Sequence, residues 1–219
     1  MTRRPTGMLK EDENIHRKEI RTDREKMKRI NDIFYSLQGE GRNTGRAAVF
    51  IRFAGCNLRC PFCDTEFSEY REMSDTDILA AISGYPSRFV VLTGGEPTLQ
   101  TDAGFIALLH SNGYEVAMES NGTRRPAAAV DWLTVSPKQA YTGETGRLAV
   151  TRCDELKVIF DGRTEVSDCG IEADHYYLQP CDTGDEERNR TITEACVRYI
   201  CDHPKWRLSL QTHKMIGFK

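Results

Sequence analysis

The chain has 219 residues, of which 29% are charged and 39% hydrophobic, as in an ordinary soluble globular protein. Its 30 Lys and Arg against 33 Asp and Glu give a net charge of −3, which argues against a broad electrostatic nucleic-acid binder. Apolar runs are far shorter than a membrane span and no signal peptide opens the chain, so we expect neither nucleic acid nor a membrane as a partner. The eight cysteines then favour a cytoplasmic location, where thiols stay reduced and can bind metal.

The start of the chain differs from the rest in composition. Residues 1–27 are rich in charge and poor in large apolar side chains, so we predict a mobile charged N-terminal arm or extension. Residues 28–219 are predicted to form one domain. Two interpretations of the arm stay open. In the first, translation starts at Met27 and the residues before it have no function; we favour this because a run of charged residues is usually only solvated. In the second, a basic arm contacts an acidic partner.

From residue 30 onward, short apolar runs that are typical of buried strands alternate with helical patterns. The predicted strands cover residues 49–53, 89–92, 115–118, 132–135, 155–160, 175–178 and 207–210. The predicted helices cover residues 74–85, 101–111 and 191–202, and the first opens with Ser74 and Asp77 at capping-box spacing.

This alternation of strands and helices favours parallel strands joined by helical crossovers. About six such strands are too few for a closed eight-stranded barrel, and the middle connections carry little helical signal. We therefore predict an α/β fold: a partial, open parallel (β/α) barrel of about six strands with reduced helix content. Ligands of parallel sheets bind at the carboxyl ends of the strands, so we expect the chemistry just after each strand.

Three cysteines lie on one loop directly after the first predicted strand: Cys56, Cys60 and Cys63. Thiolates bind soft metals and iron–sulfur clusters, whereas structural zinc normally takes four ligands. Three thiolates hold three irons of a [4Fe–4S] cluster and leave the fourth open to chelate a substrate or cofactor. Zinc with a distant fourth ligand, either Cys181 or His175, stays open as an alternative.

The other five cysteines show no ligand-type spacing: Cys153, Cys169, Cys181, Cys196 and Cys201. We expect Cys196 and Cys201 to be packing residues of the last predicted helix.

The C-x3-C-x2-C spacing of the cysteine loop resembles the radical S-adenosylmethionine superfamily. Thr93-Gly94-Gly95-Glu96-Pro97, at the end of the next strand, is similar to that superfamily's GGEP motif. Further segments narrow the resemblance, namely residues 33–41, Cys63-Asp64-Thr65, Glu119-Ser120-Asn121-Gly122-Thr123, Ser136-Pro137-Lys138, Leu178-Gln179-Pro180 and residues 210–214. Together, residues 28–219 resemble the 7-carboxy-7-deazaguanine synthase family.

The resemblance implies a carbon–nitrogen lyase of queuosine and deazapurine biosynthesis. Such an enzyme converts 6-carboxy-5,6,7,8-tetrahydropterin to 7-carboxy-7-deazaguanine by hydrogen abstraction at C6, ring contraction and loss of ammonia. The implied cofactors are a [4Fe–4S] cluster, S-adenosylmethionine and Mg²⁺. A homodimer and a flavodoxin- or ferredoxin-type reductant are also implied.

The resemblance also implies residue roles. Cys56, Cys60 and Cys63 ligate the cluster. S-adenosylmethionine is contacted by Phe62, Cys63, Asp64, Gly95, Glu96, Ser136, Pro137 and Lys138, with Gln179 facing this cofactor or the pterin. Substrate is contacted by Leu37, Gln38, Gly39, Arg52 and Thr93.

Chemistry gives a reason for the role of Arg52 and a limit for that of Thr65. Arg52 suits a bidentate pair with the substrate carboxylate. Thr65 is implied as the Mg²⁺ ligand, and because one hydroxyl is a poor site for a hard dication, we expect Mg²⁺ to bind only together with substrate. His213 and Lys214 are weaker candidates to approach the site.

Two other functions share parts of this pattern. A glycyl-radical-enzyme activase has the same three-cysteine loop, but residues 37–41 and 63–65 argue against it. The second is a non-catalytic iron–sulfur electron carrier. Such a protein needs a fourth cysteine ligand, which the loop does not supply, and it has no use for a cofactor pocket.

Overall fold

The computed structural model describes residues 27–66 and 68–218, and these residues form one open sheet with helices packed against it. The strands are β1 (Lys28–Leu37), β2 (Ala47–Phe53), β3 (Arg71–Met73), β4 (Phe89–Gly94), β5 (Glu115–Ser120), β6 (Trp132–Val135), β7 (Arg152–Phe160), β8 (Glu172–Pro180) and β9 (Arg207–Leu208). The helices are α1 (Asp75–Ser83), α2 (Ala103–Ser111), α3 (Gln139–Thr142), α4 (Glu186–Asp202) and α5 (Thr212–Ile216). The predicted N-terminal arm lies outside the described residues, apart from Met27.

The strand order of the sheet is β3-β1-β2-β4-β5-β6-β7-β8-β9. From β2 to β9 every neighbouring pair is parallel, whereas β1 pairs antiparallel with both β2 and β3. The sheet ends in β3 on one side and β9 on the other, so it is open. The prediction of a partial, open parallel barrel is confirmed, with two antiparallel strands added at one edge.

The sequence pattern did not predict the two added strands. Residues 33–37 were placed before the first strand, yet they belong to β1. Strand β1 opens with charged residues, and Lys28 is buried because its ammonium pairs with Asp75 and lies 4.6 Å from the Phe105 ring centroid. Strand β3 is the tripeptide Arg-Glu-Met, in which only Met73 packs against the core, so it is too short to give an apolar pattern and is placed by backbone pairing with β1.

The predicted helices form, with shifted starts where a different residue caps the helix. Ser74 and Asp77 form the expected capping box of α1, each backbone N–H donating to the other side chain over 3.1 Å. Helix α4 begins at Glu186, five residues before the predicted start, because Asp185 accepts from Arg188 N over 3.0 Å and caps it. Cys196 of α4 is buried as expected, but Cys201 is exposed, so its predicted packing role is wrong.

Strand β2 shows how the sheet separates core from site. Val49, Ile51 and Phe53 are buried in a cluster that includes Ile78 of α1 and Phe105 of α2. Because side chains alternate along a strand, the residues between them face the concave side of the sheet. Phe50 stacks there on Phe34 of β1, and the Arg52 guanidinium lies 5.4 Å from the same ring. Phe34, Phe50 and Arg52 all line a cleft on this side of the sheet.

A second buried cluster packs α4 against the other half of the sheet and includes Leu156, Leu178, Ile192, Cys196 and Trp206. Among the described helices, none combines the length and apolar character needed to cross a bilayer.

Candidate active site

A cleft of about 840 Å³ opens at the carboxyl ends of the parallel strands, a volume within the usual range of ligand sites. All but two of the residues predicted as ligand or metal contacts line it. They are Leu37, Gln38, Gly39, Arg52, Cys56, Cys60, Phe62, Cys63, Asp64, Thr65, Thr93, Gly95, Ser136, Lys138 and Gln179. Glu96 and Pro137 are not among the lining residues, and both are buried behind them.

The cysteine loop follows β2 and presents three free thiols to the cleft, with Cys56 and Cys60 partly buried and Cys63 exposed. Burial raises the pKa of Cys56 and of Cys60, and the neighbouring thiols raise them further. The Asn121 amide donates to the Cys56 sulfur over 3.8 Å, and the Leu58 N–H donates to it over 3.4 Å. These donors stabilise negative charge on sulfur, which a metal ligand must carry.

Gly94, the last residue of β4, and Gly95, which follows it, bring that strand end against the cysteine loop. A side chain on Gly95 would lie 2.0 Å from the Gly55 carbonyl oxygen, so only glycine fits this approach. Gly95 N donates to Phe53 O and Glu96 N donates to Gly55 O, both over 2.9 Å. The sequence predicted that the glycines allow close approach of a ligand; the structure shows close approach of the chain's own cluster loop.

Glu96 is fully buried and its carboxylate is already satisfied by the chain. One oxygen accepts from the Thr98 N–H, the Thr98 hydroxyl and the Ser120 hydroxyl, over 2.6–3.0 Å. The other accepts from Asn121 N over 2.7 Å. Glu96 thus fixes the residues after β5, including the amide that faces Cys56. Its direct contact with the cofactor stays a prediction.

Glu119, to which the sequence assigned no role, lies in the cleft between two predicted substrate contacts. Its carboxylate accepts from Gln38 Nε2 and from the Thr93 hydroxyl, each over 2.9 Å. The only signal for it in the sequence was its position as the first residue of the motif at residues 119–123, at the end of a strand. Close by, the Arg52 Nε is buried and has no hydrogen-bond partner among the described residues.

A buried ion pair crosses the cleft between Glu40, just after β1, and Lys157 of β7. Burial opposes charge on both groups, but their mutual attraction prevails: it raises the pKa of Lys157 above its usual value and lowers that of Glu40. The Glu40 carboxylate also accepts from Gln179 over 3.2 Å and from Gln211 over 2.9 Å. Lys157 and Glu40 were not predicted as a pair, since 117 positions separate them in sequence.

Lys138 lies after β6 on the cluster side of the cleft. Its ammonium donates to the backbone oxygen of Ser136 over 3.1 Å and to the Ser136 hydroxyl. Burial, reinforced by the positive charge of Lys157, lowers the pKa of Lys138 to about 8. Negative charge placed near this ammonium would raise its pKa again.

The C-terminal segment reaches the cleft, which bears out the weaker prediction for His213 and Lys214. Both residues line it. The His213 ring packs so closely on Gly39 that a side chain there would lie 2.2 Å from Nδ1.

Comparison with known proteins shows to which family the chain belongs. Residues 50–138 match the family model described as the Radical SAM superfamily. A 7-carboxy-7-deazaguanine synthase of Bacteroides thetaiotaomicron is 48% identical over 193 residues, which is 88% of this chain and all of the relative. This chain belongs to the 7-carboxy-7-deazaguanine synthase family.

Two further members support the same family. A 7-carboxy-7-deazaguanine synthase of Nitratidesulfovibrio vulgaris is 42% identical over 217 residues, covering 86% of this chain and 98% of the relative. The crystal structure of QueE from Escherichia coli superposes with a TM-score of 0.64 at 29% identity, covering 84% of this chain and 93% of that one. Family membership confirms the predicted enzyme class and gives no support to the activase or the electron carrier.

Radical S-adenosylmethionine enzymes of this family carry a [4Fe–4S] cluster and S-adenosylmethionine, and the residues present fit both. One loop supplies three thiols, backbone and amide donors face the sulfur of Cys56, and the cleft beside them has room for a nucleoside. Within residues 27–66 and 68–218, no three His, Cys, Asp or Glu side chains lie together as a preformed metal site, and this includes the three thiols of the loop. Of the two distant residues considered as a fourth zinc ligand, Cys181 lines the same cleft. His175 instead stacks on Trp132, at 5.6 Å between ring centroids.

Proposed function

We propose that this chain converts 6-carboxy-5,6,7,8-tetrahydropterin to 7-carboxy-7-deazaguanine and ammonia. The substrate contains the atoms of both products, so the conversion consumes no net oxidant or reductant. When bound, the cluster and S-adenosylmethionine supply the carbon radical that takes the hydrogen from C6. The observation that carries the proposal is the buried Nε of Arg52, which has no hydrogen-bond partner within the described part of the chain and lies four residues before Cys56 in the same cleft.

Arg52 is proposed to hold the substrate carboxylate. A guanidinium offers two parallel donors to a carboxylate, and this pairing is stronger and more specific than that of a point charge. The stacked rings of Phe34 and Phe50 lie on the same side of the sheet and give the guanidinium an apolar support. The carboxylate attached to C6 would then fix the position of that carbon relative to the cluster loop.

Glu119 is proposed to bind the amino-pyrimidine edge of the pterin, which presents N–H donors. The carboxylate is held by Gln38 and Thr93, the residues that the resemblance implies as substrate contacts. Each carboxylate oxygen has more than one acceptor site, so both can receive a substrate hydrogen bond as well. Leu37 and Gly39 complete this side of the cleft.

The cofactor side of the proposal consists of residues around the cysteine loop. Cys56, Cys60 and Cys63 ligate the cluster. Phe62 is held by an edge-to-face contact with Tyr141, at 4.7 Å between ring centroids. Lys138, Ser136 and Gln179 face the cleft from the neighbouring strand ends, where their donors suit the polar groups of S-adenosylmethionine.

Mg²⁺ is proposed to bind at Thr65, which lines the cleft two residues after Cys63. A hydroxyl alone satisfies little of an octahedral shell of oxygens, so the remaining ligands must come from substrate and water. The expected behaviour is weak Mg²⁺ binding to the free protein and tighter binding in the presence of the carboxypterin.

The electron donor is proposed to be a flavodoxin- or ferredoxin-type protein that docks near the cysteine loop. Arg59 on this loop is exposed. Arg124 is exposed too, and it is next in sequence to Thr123, whose hydroxyl accepts from the Asn57 amide of the loop over 2.9 Å. Positive charge at this place favours an acidic donor protein.

We also propose that the protein is a homodimer, which sedimentation velocity tests. The proposed location is the reducing cytoplasm, with which the eight free cysteines of the structure agree.

Anaerobic turnover tests the function. Protein reconstituted with iron and sulfide is mixed with S-adenosylmethionine, dithionite, Mg²⁺ and the carboxytetrahydropterin, and 7-carboxy-7-deazaguanine is measured by chromatography and mass. The expected result is product in excess of the S-adenosylmethionine that is cleaved, with activity lost in Cys60→Ala. A fully loaded cluster that cleaves S-adenosylmethionine but yields no deazaguanine would overturn the proposed substrate.

A further inference from the structure

The C-terminal segment forms a bridge across the mouth of the cleft. The Thr212 N–H and hydroxyl both donate to the carbonyl oxygen of Gly39, over 3.0 and 2.9 Å. Gln211 donates to Glu40, and His213 packs on Gly39. The segment is therefore attached to the turn after β1, on the substrate side of the cleft.

The other side of this bridge is Lys214. Its ammonium donates to Asp64 over 2.7 Å and to Asp182 over 2.8 Å. Asp182, just after β8, is itself fixed because it accepts from Gly184 N over 3.0 Å and from the Asn189 amide over 2.8 Å. Lys214 thus connects the hydrogen-bonded end of β8 to a residue of the cysteine loop.

Asp64 stands between the third cysteine of that loop and Thr65. The start of the loop is held by other hydrogen bonds. The carbonyl oxygen of Gly55 accepts from the Glu96 N–H, and the side-chain oxygen of Asn57 accepts from the Asn121 amide over 3.0 Å. At the end of the loop, the carboxylate of Asp64 accepts from Lys214 and, over a longer 3.4 Å, from Gln211. The position of this end thus depends on the C-terminal segment.

We propose that Lys214 is a positioning residue, which acts through Asp64 to hold Cys63 and Thr65 in place and couples the substrate side of the cleft to the cluster loop. The roles of Cys63 and Thr65 rest on the proposed function, whereas the bridge itself rests on the hydrogen bonds of the chain. Its loss should therefore loosen residues 60–66 in the protein without cluster as well as with it.

Hydrogen–deuterium exchange of the full chain tests this, with Lys214→Ala, Lys214→Arg and a control, Lys205→Ala. Lys205 also donates to an aspartate over 2.7 Å, that of Asp168, and neither residue lines the cleft. In Lys214→Ala, exchange of residues 60–66 should increase about fivefold, as expected for loss of a partly exposed ion pair. Lys214→Arg should keep most of the protection, and Lys205→Ala should leave these residues unchanged.

Two more measurements make the result decisive. In the reconstituted protein, Lys214→Ala should release iron to a chelator faster and should raise the KM for S-adenosylmethionine more than it lowers kcat. Asp182→Asn removes the negative charge that holds Lys214 at the end of β8 and should give the same changes in iron release and KM. This variant replaces Lys214→Ala if Lys214→Ala does not fold. Unchanged exchange of residues 60–66 in a folded Lys214→Ala or Asp182→Asn protein would overturn the proposal. A loosened loop in a protein without synthase activity would overturn only the proposed function.

Discussion

Thr93 and Glu119 lie at the ends of neighbouring parallel strands and are joined by a 2.9 Å hydrogen bond from the hydroxyl to the carboxylate. Gln38, the first residue after β1, donates to the same carboxylate over 2.9 Å. Parallel strands end at one edge of a sheet, which is why Thr93 and Glu119 meet there, whereas Gln38 reaches them from the turn between the antiparallel strands β1 and β2. The three side chains form the polar wall that we assign to the pterin.

This assignment predicts the effect of Glu119→Gln. The amide loses the negative charge and one acceptor, so hydrogen bonds from substrate N–H groups weaken, and kcat/KM should fall about 100-fold, as for the loss of charged hydrogen bonds. Steady-state kinetics with the carboxypterin measures this. The control is Glu115→Gln on the same strand, where the exposed carboxylate pairs with Arg46. Equal losses in both variants would contradict a role in substrate binding.

Arg52→Lys tests the carboxylate contact, because lysine keeps the charge and loses the planar pair of donors. The KM for the carboxypterin should rise at least tenfold, about the loss expected for one charged hydrogen bond. A tetrahydropterin without the carboxylate should bind wild type and variant equally, as measured by calorimetry. If the variant also weakened binding of this analogue, Arg52 would be acting on something other than the carboxylate.

Comparison of sequence and structure shows which features are local. The cysteine loop, the strand ends and the capping box of α1 depend on residues close together in the chain, so their patterns predicted them. The Glu40–Lys157 pair and the Gly39–His213 contact depend on how distant strands meet, and no single segment carries a signal for them. Lys28 shows the same limit: its charge predicts exposure, but the partner Asp75 lies on a different element.

The buried pair of Glu40 and Lys157 predicts a large effect on stability. Their side chains are 15% and 6% exposed, and removal of one partner leaves the other charge buried without compensation. Lys157→Met should therefore lower the free energy of unfolding by about 3 kcal/mol, measured by urea denaturation of the cluster-free protein. The double variant Glu40→Gln/Lys157→Met should recover part of this loss. If the double variant lost as much free energy of unfolding as the two single variants lose together, the two groups would not be coupled.

The lowered pKa of Lys138 predicts a pH dependence of stability in the cluster-free protein. Because the folded pKa of about 8 lies below the ordinary 10.5 of the unfolded chain, the unfolded state binds the proton more tightly between these values. The contribution of Lys138 to the free energy of unfolding should thus be least favourable below pH 8 and increase as the pH rises towards 10.5. The difference between wild type and Lys138→Met isolates this contribution. A difference that does not change from pH 7 to 10 would contradict the assigned pKa.

The central claim is that three cysteines hold a cluster whose fourth iron binds S-adenosylmethionine. Electron–nuclear double resonance on the reduced cluster, with S-adenosylmethionine labelled with ¹⁵N at the amino group and ¹⁷O at the carboxylate, measures this directly. We predict hyperfine coupling to both labels, which requires their direct coordination to iron. A fully formed, reduced cluster that shows no coupling to either label would contradict the account.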